Sequence, residues 1–543
     1  MPIQPLSPRD LRESEPVWML DLTWAGRVWR IATRPVHVLD DAGRRYSYDG
    51  GLVEPVDFSE SLGRLDTDPG EASMSLAVDL GVDVADMIAK GHDLMMATAS
   101  ITMGTVTRQD TRLSIPTVQQ VYRQRWPLLA GRFRKPAFGF PDRPAGHIEA
   151  TVEDQPWRTG ERDVAAGEVR LVTRDIQYIT AGPAEITVTN TSVAGKVAPL
   201  VIGAPGLIGP DVAGSPVYPT GASPLTAHDG NTVLQPMIVS QGVVAASTVR
   251  VVISGNAYVG TVRQATFQGS TYSVVDEATL APDGASEVDS DVYYAIWGNG
   301  GGVRSPYSAG ALTNSAEVCA YMLARAGIDV DASRWLAIRG RGTFNVSTYI
   351  NEPVKAYDWL DSTGILAGMG VSIRRGPDGF YPLLYDPRIR TDETRAHITE
   401  GEDWFAAGPV MVERESDDLV NALDVSYAYS AETEDPSAVL HFEPAADADV
   451  LPQRSHGSKT SVARYGRRLV NLDLPAVADR ADAASVAARY IALRALPTYS
   501  VSYTAHWSWG WIQVGDALNI TDTRAGWANV VAVVNERAWT GDG

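Results

Sequence analysis

AVADRADAASVAARYIALRALP, residues Ala476–Pro497, runs into YSVSYTAHW, DALNIT and WANVVAVVNE, and this junction decides how the rest of the chain is read. In the first segment Val486, Tyr490, Ile491 and Leu493 recur at helical spacing, and Pro497 stops the helix. The segments that follow alternate apolar and polar residues like half-buried strands. Tight turns at Val514-Gly515-Asp516 and Thr523-Arg524-Ala525-Gly526 separate them. A long helix feeding a β-meander therefore closes the chain.

Working outward, residues 396–543 read as one C-terminal β domain carrying that helix. Glu415–Gln453 lacks Lys and Arg and holds ten acids, and the basic run Arg464–Arg468 (RYGRR) comes just after it. Residues 306–395 form a small α/β module. Asn314-Ser315-Ala316-Glu317 resembles a capping box that opens a helix ending at Gly327. A second helix is expected over Glu352–Leu366, then GVSIRR and FYPLLY as a hairpin turned by Pro377-Asp378-Gly379. Residues 161–305 are β-rich, with AEITVTNTSV, KVAPLVIGAPG, STVRVVISGNAYVG, TYSVVDEATL and DVYYAIWG as the clearest strands and Gly203–Pro224 as a loose connection. From Gln264 to Val303 no Lys or Arg occurs, while Asp276, Glu277, Asp283, Glu287, Asp289 and Asp291 make an acidic loop set. Residues 1–160 form a further β domain, from VWMLDLTWAGRVWRIATRPVHVLD with turns at Ala25-Gly26 and Asp41-Ala42-Gly43, through EASMSLAVDLG, a helical patch Asp83–Gly91, MATASITMGTVT and WPLLAGRFRKPAFGF, to HIEATVEDQPW. The fold class is mainly β and multidomain (α+β).

At 543 residues the chain exceeds one hydrophobic core. It is 44% hydrophobic and 21% charged, ordinary values for a soluble globular protein. The formal net charge of −20 opposes tight binding to a phosphate backbone and suits either simple solubility or a conduit to which DNA must not stick. A single cysteine, Cys319, excludes an intrachain disulfide and thiolate metal sites. Its neighbours Val318 and Met322 make it a buried, inert thiol on a helix. The polar, proline-rich opening MPIQPLSPRDLRESEP lacks the apolar stretch of a signal peptide, and no run of eighteen apolar residues occurs, so no membrane insertion is expected.

Chemistry finds little footing. The eight histidines (37, 92, 147, 228, 397, 441, 456, 506) form no HExxH and no short pair. Asp289/Asp291, Asp329/Asp331 and Asp447/Asp449 do not extend into a calcium loop with a terminal Glu. Gly298-Asn299-Gly300-Gly301-Gly302 lies between a strand and a helix, where a loop can cradle phosphate, but the P-loop lysine is missing and a domain connection is the simpler reading. No G-x-S-x-G elbow is present. No catalytic, cofactor-binding or metal residue is assigned, no cofactor is expected, and the chain reads as no enzyme. Trp507, Trp509 and Trp511 alternate in HWSWGW and share one face of a strand. That row is open to three readings: a core face, a subunit interface or a sugar-stacking platform.

Taken in order, several segments resemble the phage tail hub, or baseplate hub, family. It includes the tail-tip hubs of siphophages and gene transfer agents and is related to the N-terminal part of lambda-like host-specificity proteins. The resembling pieces are LLAGRFRKPAFGFPDRPAGHIEATVEDQP, NTSVAGKVAPLVIGAPG, NSAEVCAYMLARAGID, YINEPVKAYDWLDSTGILAGMGVSIRRGPDGFYPLLY, DDLVNALDVSYAYS, SVARYGRR, the helix to Pro497, and QVGDALNITDTRAGW. The resemblance implies two tail-tube-like β-barrel domains, one near each end, with a β-rich insertion and the α/β module between them. It also implies a homotrimer whose pseudo-sixfold ring joins a sixfold tail tube to a threefold tip. Such a ring surrounds the channel for the tape measure protein and then DNA, which passes without specific binding. The expected neighbours are a distal tail protein, the tape measure protein and tip or fibre proteins. The implied location is the virion tail tip, assembled in the host cytoplasm. Many hubs extend into fibre or hydrolase modules, whereas this sequence stops at Gly543, so receptor binding and wall digestion are expected of separate proteins. A receptor- or glycan-binding tail protein using residues 161–305 is the alternative.

Overall fold

In the computed structural model the protein is described at residues 16–39, 45–52, 57–61, 72–79, 90, 92, 98–107, 117–127, 147–154, 170–173, 185–188, 197–206, 214–219, 224–253, 256–267, 270–280, 293–298, 301–352, 354–376, 379–384, 396–399, 411–415, 419–442, 458–495, 498–502, 512, 514–522 and 527–539. The architecture is mainly β with few helices.

Near the N-terminus, strand alternation becomes a ring of pairings. Pro16–Trp24 pairs with Arg27–Ala32 across Ala25-Gly26, both with positive φ (53° and 72°), the conformation that a two-residue hairpin turn requires. Pairing then passes through Arg45–Gly50, Val36–Leu39, Thr117–Pro127 and Thr98–Thr107 and returns to Pro16–Trp24, so six strands close on themselves. Val17, Met19, Ala32 and Val36 make a core cluster of this unit. A second sheet contains Asp57–Ser61, Ala72–Asp79 and His147–Asp154, and its edge strand is Glu536–Trp539 from the far end of the chain. The expected helix at 83–91, the Asp41–Gly43 turn and the 128–140 hairpin lie outside the described residues.

Seven strands between Ser215 and Ile296 form one sheet, in the order 256–261, 248–253, 293–296, 215–219, 236–241, 270–276 and 263–267. Its two edge strands are consecutive in the chain, Asn256–Thr261 and Arg263–Phe267, separated only by Val262. The sheet must therefore curl until its ends approach. Inside the curl lie Val217, Met237, Val239, Val251, Ala295 and Trp297. The Trp297 indole donates to Ser215 Oγ at 2.8 Å, which supplies its buried polar atom with a partner.

The largest core joins residues from Leu200 to Ala495. The Ser315–Arg325 helix contributes Val318, Cys319 and Met322, and the Arg480–Arg494 helix contributes Val486 and Ile491. Trp335, fully buried, donates its indole N–H to the Phe380 carbonyl at 3.1 Å. The hairpin Val371–Gly376/Gly379–Leu384 is present as the sequence predicts, although Pro377 and Asp378 lie outside the described residues.

Three local expectations are corrected. The helix read over Glu352–Leu366 is two helices, Ala356–Ser362 and Ile365–Met369. Gly364 takes the left-handed conformation between them (φ 71°), which ends one helix and redirects the chain. The last long helix starts at Arg480, not at Ala476. The carbonyls of Ala476 and Val477 accept from Ser347 N and Ala428 N, so those residues serve as a bridge between strands. Asp479 then caps the helix, accepting from Ala481 N at 2.7 Å. Finally, Asn314 Oδ1 accepts from Ala316 N as a cap should, but Glu317 does not reach back to complete the box.

Most described C-terminal strands lie in three small sheets: Ala396–Thr399 with Ala517–Asp522 and Trp527–Val533; Met411–Glu415 with Thr498–Ser502; and Pro436–Phe442, Ala422–Tyr429 and Leu469–Asp473. The Val514-Gly515-Asp516 turn is in place, and the Thr523–Gly526 turn lies outside the described residues.

Candidate functional site

The seven-stranded sheet meets the large core along a short ladder, Leu200–Ile202 against Thr348–Ile350. The glycine segment before residue 303 packs here. Gly302 N donates to Gly203 O at 2.6 Å, Val303 N to Val201 O at 2.9 Å, and Ala245 N to Gly302 O at 2.9 Å. A Cβ on Gly302 would stand 2.6 Å from Gly203 N, and one on Gly301 would stand 2.7 Å from Trp297 Cβ. The glycines are there because backbones cross at contact distance. Gly302 N–H is committed to a carbonyl and is not available to an anion. Asn299 and Gly300 lie outside the described residues.

Beside this ladder Tyr218, Tyr294 and Tyr349 lie close enough to influence one another. Asn351 Nδ2 donates to Tyr218 Oη at 3.5 Å. Burial first, then the carboxylate of Glu434 and the neighbouring phenols, push the Tyr349 hydroxyl up to about 12. Burial likewise raises Tyr218 and Tyr294, with Glu432 and Glu434 adding to the rise at Tyr294. Raised above their ordinary value, these phenols stay neutral. No local pattern marks this seam, since its members are up to 216 positions apart, from Tyr218 to Glu434.

A second polar cluster gathers around Glu317. Its carboxylate, 5% exposed, pairs with Arg339, accepts from Ser308 Oγ at 2.9 Å, and accepts a short bond from Ser305 Oγ. Arg339 also donates to the Tyr307 carbonyl at 3.3 Å. Every partner belongs to the chain itself and fixes the segment 305–308 against the Ser315–Arg325 helix. This explains why Glu317 abandons the capping box: a buried carboxylate needs a cation more than a backbone amide at a helix end.

The other features singled out by sequence resolve as structural. Cys319 is fully buried, and desolvation pushes its thiol far above the ordinary range, which makes it inert. Asp331 caps the Ala332–Ala337 helix, accepting from Arg334 N at 3.2 Å and pairing with the Arg334 side chain at 3.3 Å. His37, His228 and His397 bond to Ser47, Thr266 and Thr521, and His441 Nδ1 lies 2.7 Å from Asp424 Oδ1. Among the described residues no three His, Cys, Asp or Glu side chains gather as a metal site, and no helix is long and apolar enough to cross a membrane. The row Trp507, Trp509 and Trp511, the pairs Asp289/Asp291 and Asp447/Asp449, and the acids Asp283 and Glu287 lie outside the described residues.

Comparison with known proteins now bears on the C-terminal half. Residues 400–535 match the family model described as "Putative phage tail protein". This quarter of the chain is similar to phage tail proteins, which supports a phage tail protein located in the virion tail. No curated protein matches the chain. Among solved structures, similarity is found to the 43 kDa tail protein of prophage MuSo2 from Shewanella oneidensis, at 7% identity and a TM-score of 0.32, covering 96% of this chain and 93% of that one. The tail protein from Neisseria meningitidis MC58 aligns at 9% identity and a TM-score of 0.35, covering 96% and 91%. Prophage tail protein gp18 from Listeria monocytogenes EGD-e aligns at 10% identity and a TM-score of 0.22, covering 60% and 89%. Scores this low carry no fold assignment.

Proposed function

We propose that this protein is the structural hub of a phage, or phage-like, tail tip. Three copies close into a ring that joins the sixfold tube to the threefold tip and surrounds the channel for the tape measure protein and DNA. The observation that carries the reading is the match of residues 400–535 to a phage tail protein family. Two further features support it. Six N-terminal strands form a closed ring of pairings, and Glu536–Trp539 pairs with Asp57–Ser61, so the two ends of the chain share a sheet. The net charge of −20 suits a wall past which DNA slides. Contacts repeated head to tail between like subunits close into a ring when the rotation permits.

The role is one of shape and interface, without catalysis or cofactor. Gold-labelled antibody raised against the chain should decorate the tail end distal to the capsid on intact particles. Label along the whole tube, or on the capsid, would contradict the reading. Lysis of purified cell wall by the isolated protein would contradict the absence of catalysis.

A further inference from the structure

The short ladder of Leu200–Ile202 against Thr348–Ile350 has a hydrophobic core on each of its two faces. Along Leu200–Ile202, all fully buried, the side chains alternate. Leu200 and Ile202 belong to the large core, and Val201 between them belongs to the core of the seven-stranded sheet. The facing strand repeats the division. Ile350, opposite Leu200, enters the large core, and Tyr349, opposite Val201, packs on the sheet core. Two strands therefore make one wall between two cores.

Polar contacts tie the same two units at further points. Gly203 N donates to Leu312 O at 3.0 Å, and Ala204 N donates to Ser347 Oγ at 3.2 Å. Gln241, a buried residue of the sheet, donates through Nε2 to the Ala198 carbonyl. Its Oε1 accepts at 2.6 Å from Arg325, the last residue of the Ser315–Arg325 helix. Units within one chain move relative to each other by default when the interface between them is small and polar. Here a swing of the sheet would have to draw Leu200 and Ile202 out of one core or Val201 out of the other. Close-packed interiors resist that, because they are not continuously deformable.

We infer that the seven-stranded sheet and the large core form one rigid, cooperatively unfolding body, with the 200–202/348–350 ladder as their shared wall. The boundary expected near residue 305 is then no hinge. The sheet is a fixed buttress rather than an arm that swings out to a receptor, and a load applied to it passes straight to the helices of the large core. This rigidity is a property of the single chain, so it holds whether or not three copies close into a ring.

The test follows the two cores separately in the full chain. Trp297 lies in the sheet core and Trp335 in the large core, both fully buried. With 5-fluorotryptophan incorporated, Trp297→Phe and Trp335→Phe assign the two fluorine resonances, and urea unfolding is followed at each. The expected result is one midpoint for both. Val239→Ala opens a cavity inside the sheet core and should lower both midpoints by the same shift. Met322→Ala, inside the large core, should do likewise. Each cavity lies in the core of one reporter only, so a common shift reports the shared wall and not a local effect. Separate midpoints in the wild type, or a variant that lowers the midpoint only in its own core, would overturn the single body and leave the hub reading untouched. A common midpoint in a protein that never forms a ring would uphold the single body and count against the hub reading alone.

Discussion

Gly203 is the position at which the crossing of the sheet and the large core is most exposed to a single methyl group. Its φ is 68°, and an added Cβ would lie 1.9 Å from the Val346 carbonyl oxygen and 2.9 Å from Ser347 Oγ. Its N–H donates to Leu312 O and its carbonyl accepts from Gly302 N, so the residue cannot swing away without breaking bonds on both sides. Gly203→Ala therefore incurs two costs. Holding alanine in the left-handed region costs about 1–2 kcal/mol, and forcing a methyl into close-packed backbone adds about 1–3 kcal/mol. Gly230 is the control, with a φ of 82° and nothing within 4 Å of the added carbon, so Gly230→Ala incurs the conformational cost alone. Urea unfolding followed by tryptophan fluorescence measures both, because Trp297 and Trp335 are fully buried on the two sides of the crossing. The expected result is a loss of about 2–5 kcal/mol for Gly203→Ala against about 1–2 kcal/mol for Gly230→Ala. Equal losses would refute the argument that Gly203 is fixed by contact as well as by φ.

Other consequences follow from the same packing. Asp479→Ala should cost about 1 kcal/mol through loss of the cap on the Arg480–Arg494 helix, read as a lower urea midpoint, with Asp479→Asn restoring most of it. Arg339→Met leaves the Glu317 carboxylate buried beside two serines without its cation and should cost about 3 kcal/mol. Cys319 should resist thiol reagents in the native protein and react only at the unfolding rate. Tyr349, raised to about 12 in the folded chain from the ordinary 10, favours the folded state while protonated. The unfolded chain releases that proton first as pH rises, so the contribution is complete below pH 10 and is lost through about pH 12. Tyr349→Phe should flatten the alkaline fall in the urea midpoint across that window.

Local order was legible in the sequence wherever one residue type enforces one geometry. The alternation in 16–32 and the Ala25-Gly26 turn gave the first hairpin, Gly327 marked the end of the Ser315–Arg325 helix, and Pro377-Asp378-Gly379 marked the 371–384 hairpin. Helix ends were misread where tertiary partners override local preference. Ala476 and Val477 suit a helix, but their carbonyls bind residues 347 and 428. Gly364 sits inside an apolar helical pattern, and only its left-handed φ shows that the pattern belongs to two helices. The Glu317–Arg339 pair and the tyrosine seam were illegible, because nothing in periodicity or spacing tells which distant polar groups share a desolvated volume. The edge strand Leu469–Asp473 was equally hidden: in sequence, LVNLD reads like any half-buried strand, and its exposure appears only once the sheet order is known.

The proposed closed threefold assembly is open to direct imaging of the purified protein by electron microscopy, with particles classified by symmetry. Rings of three chains with a central hole are expected. Compact monomers, or particles of twofold symmetry without a channel, would contradict it.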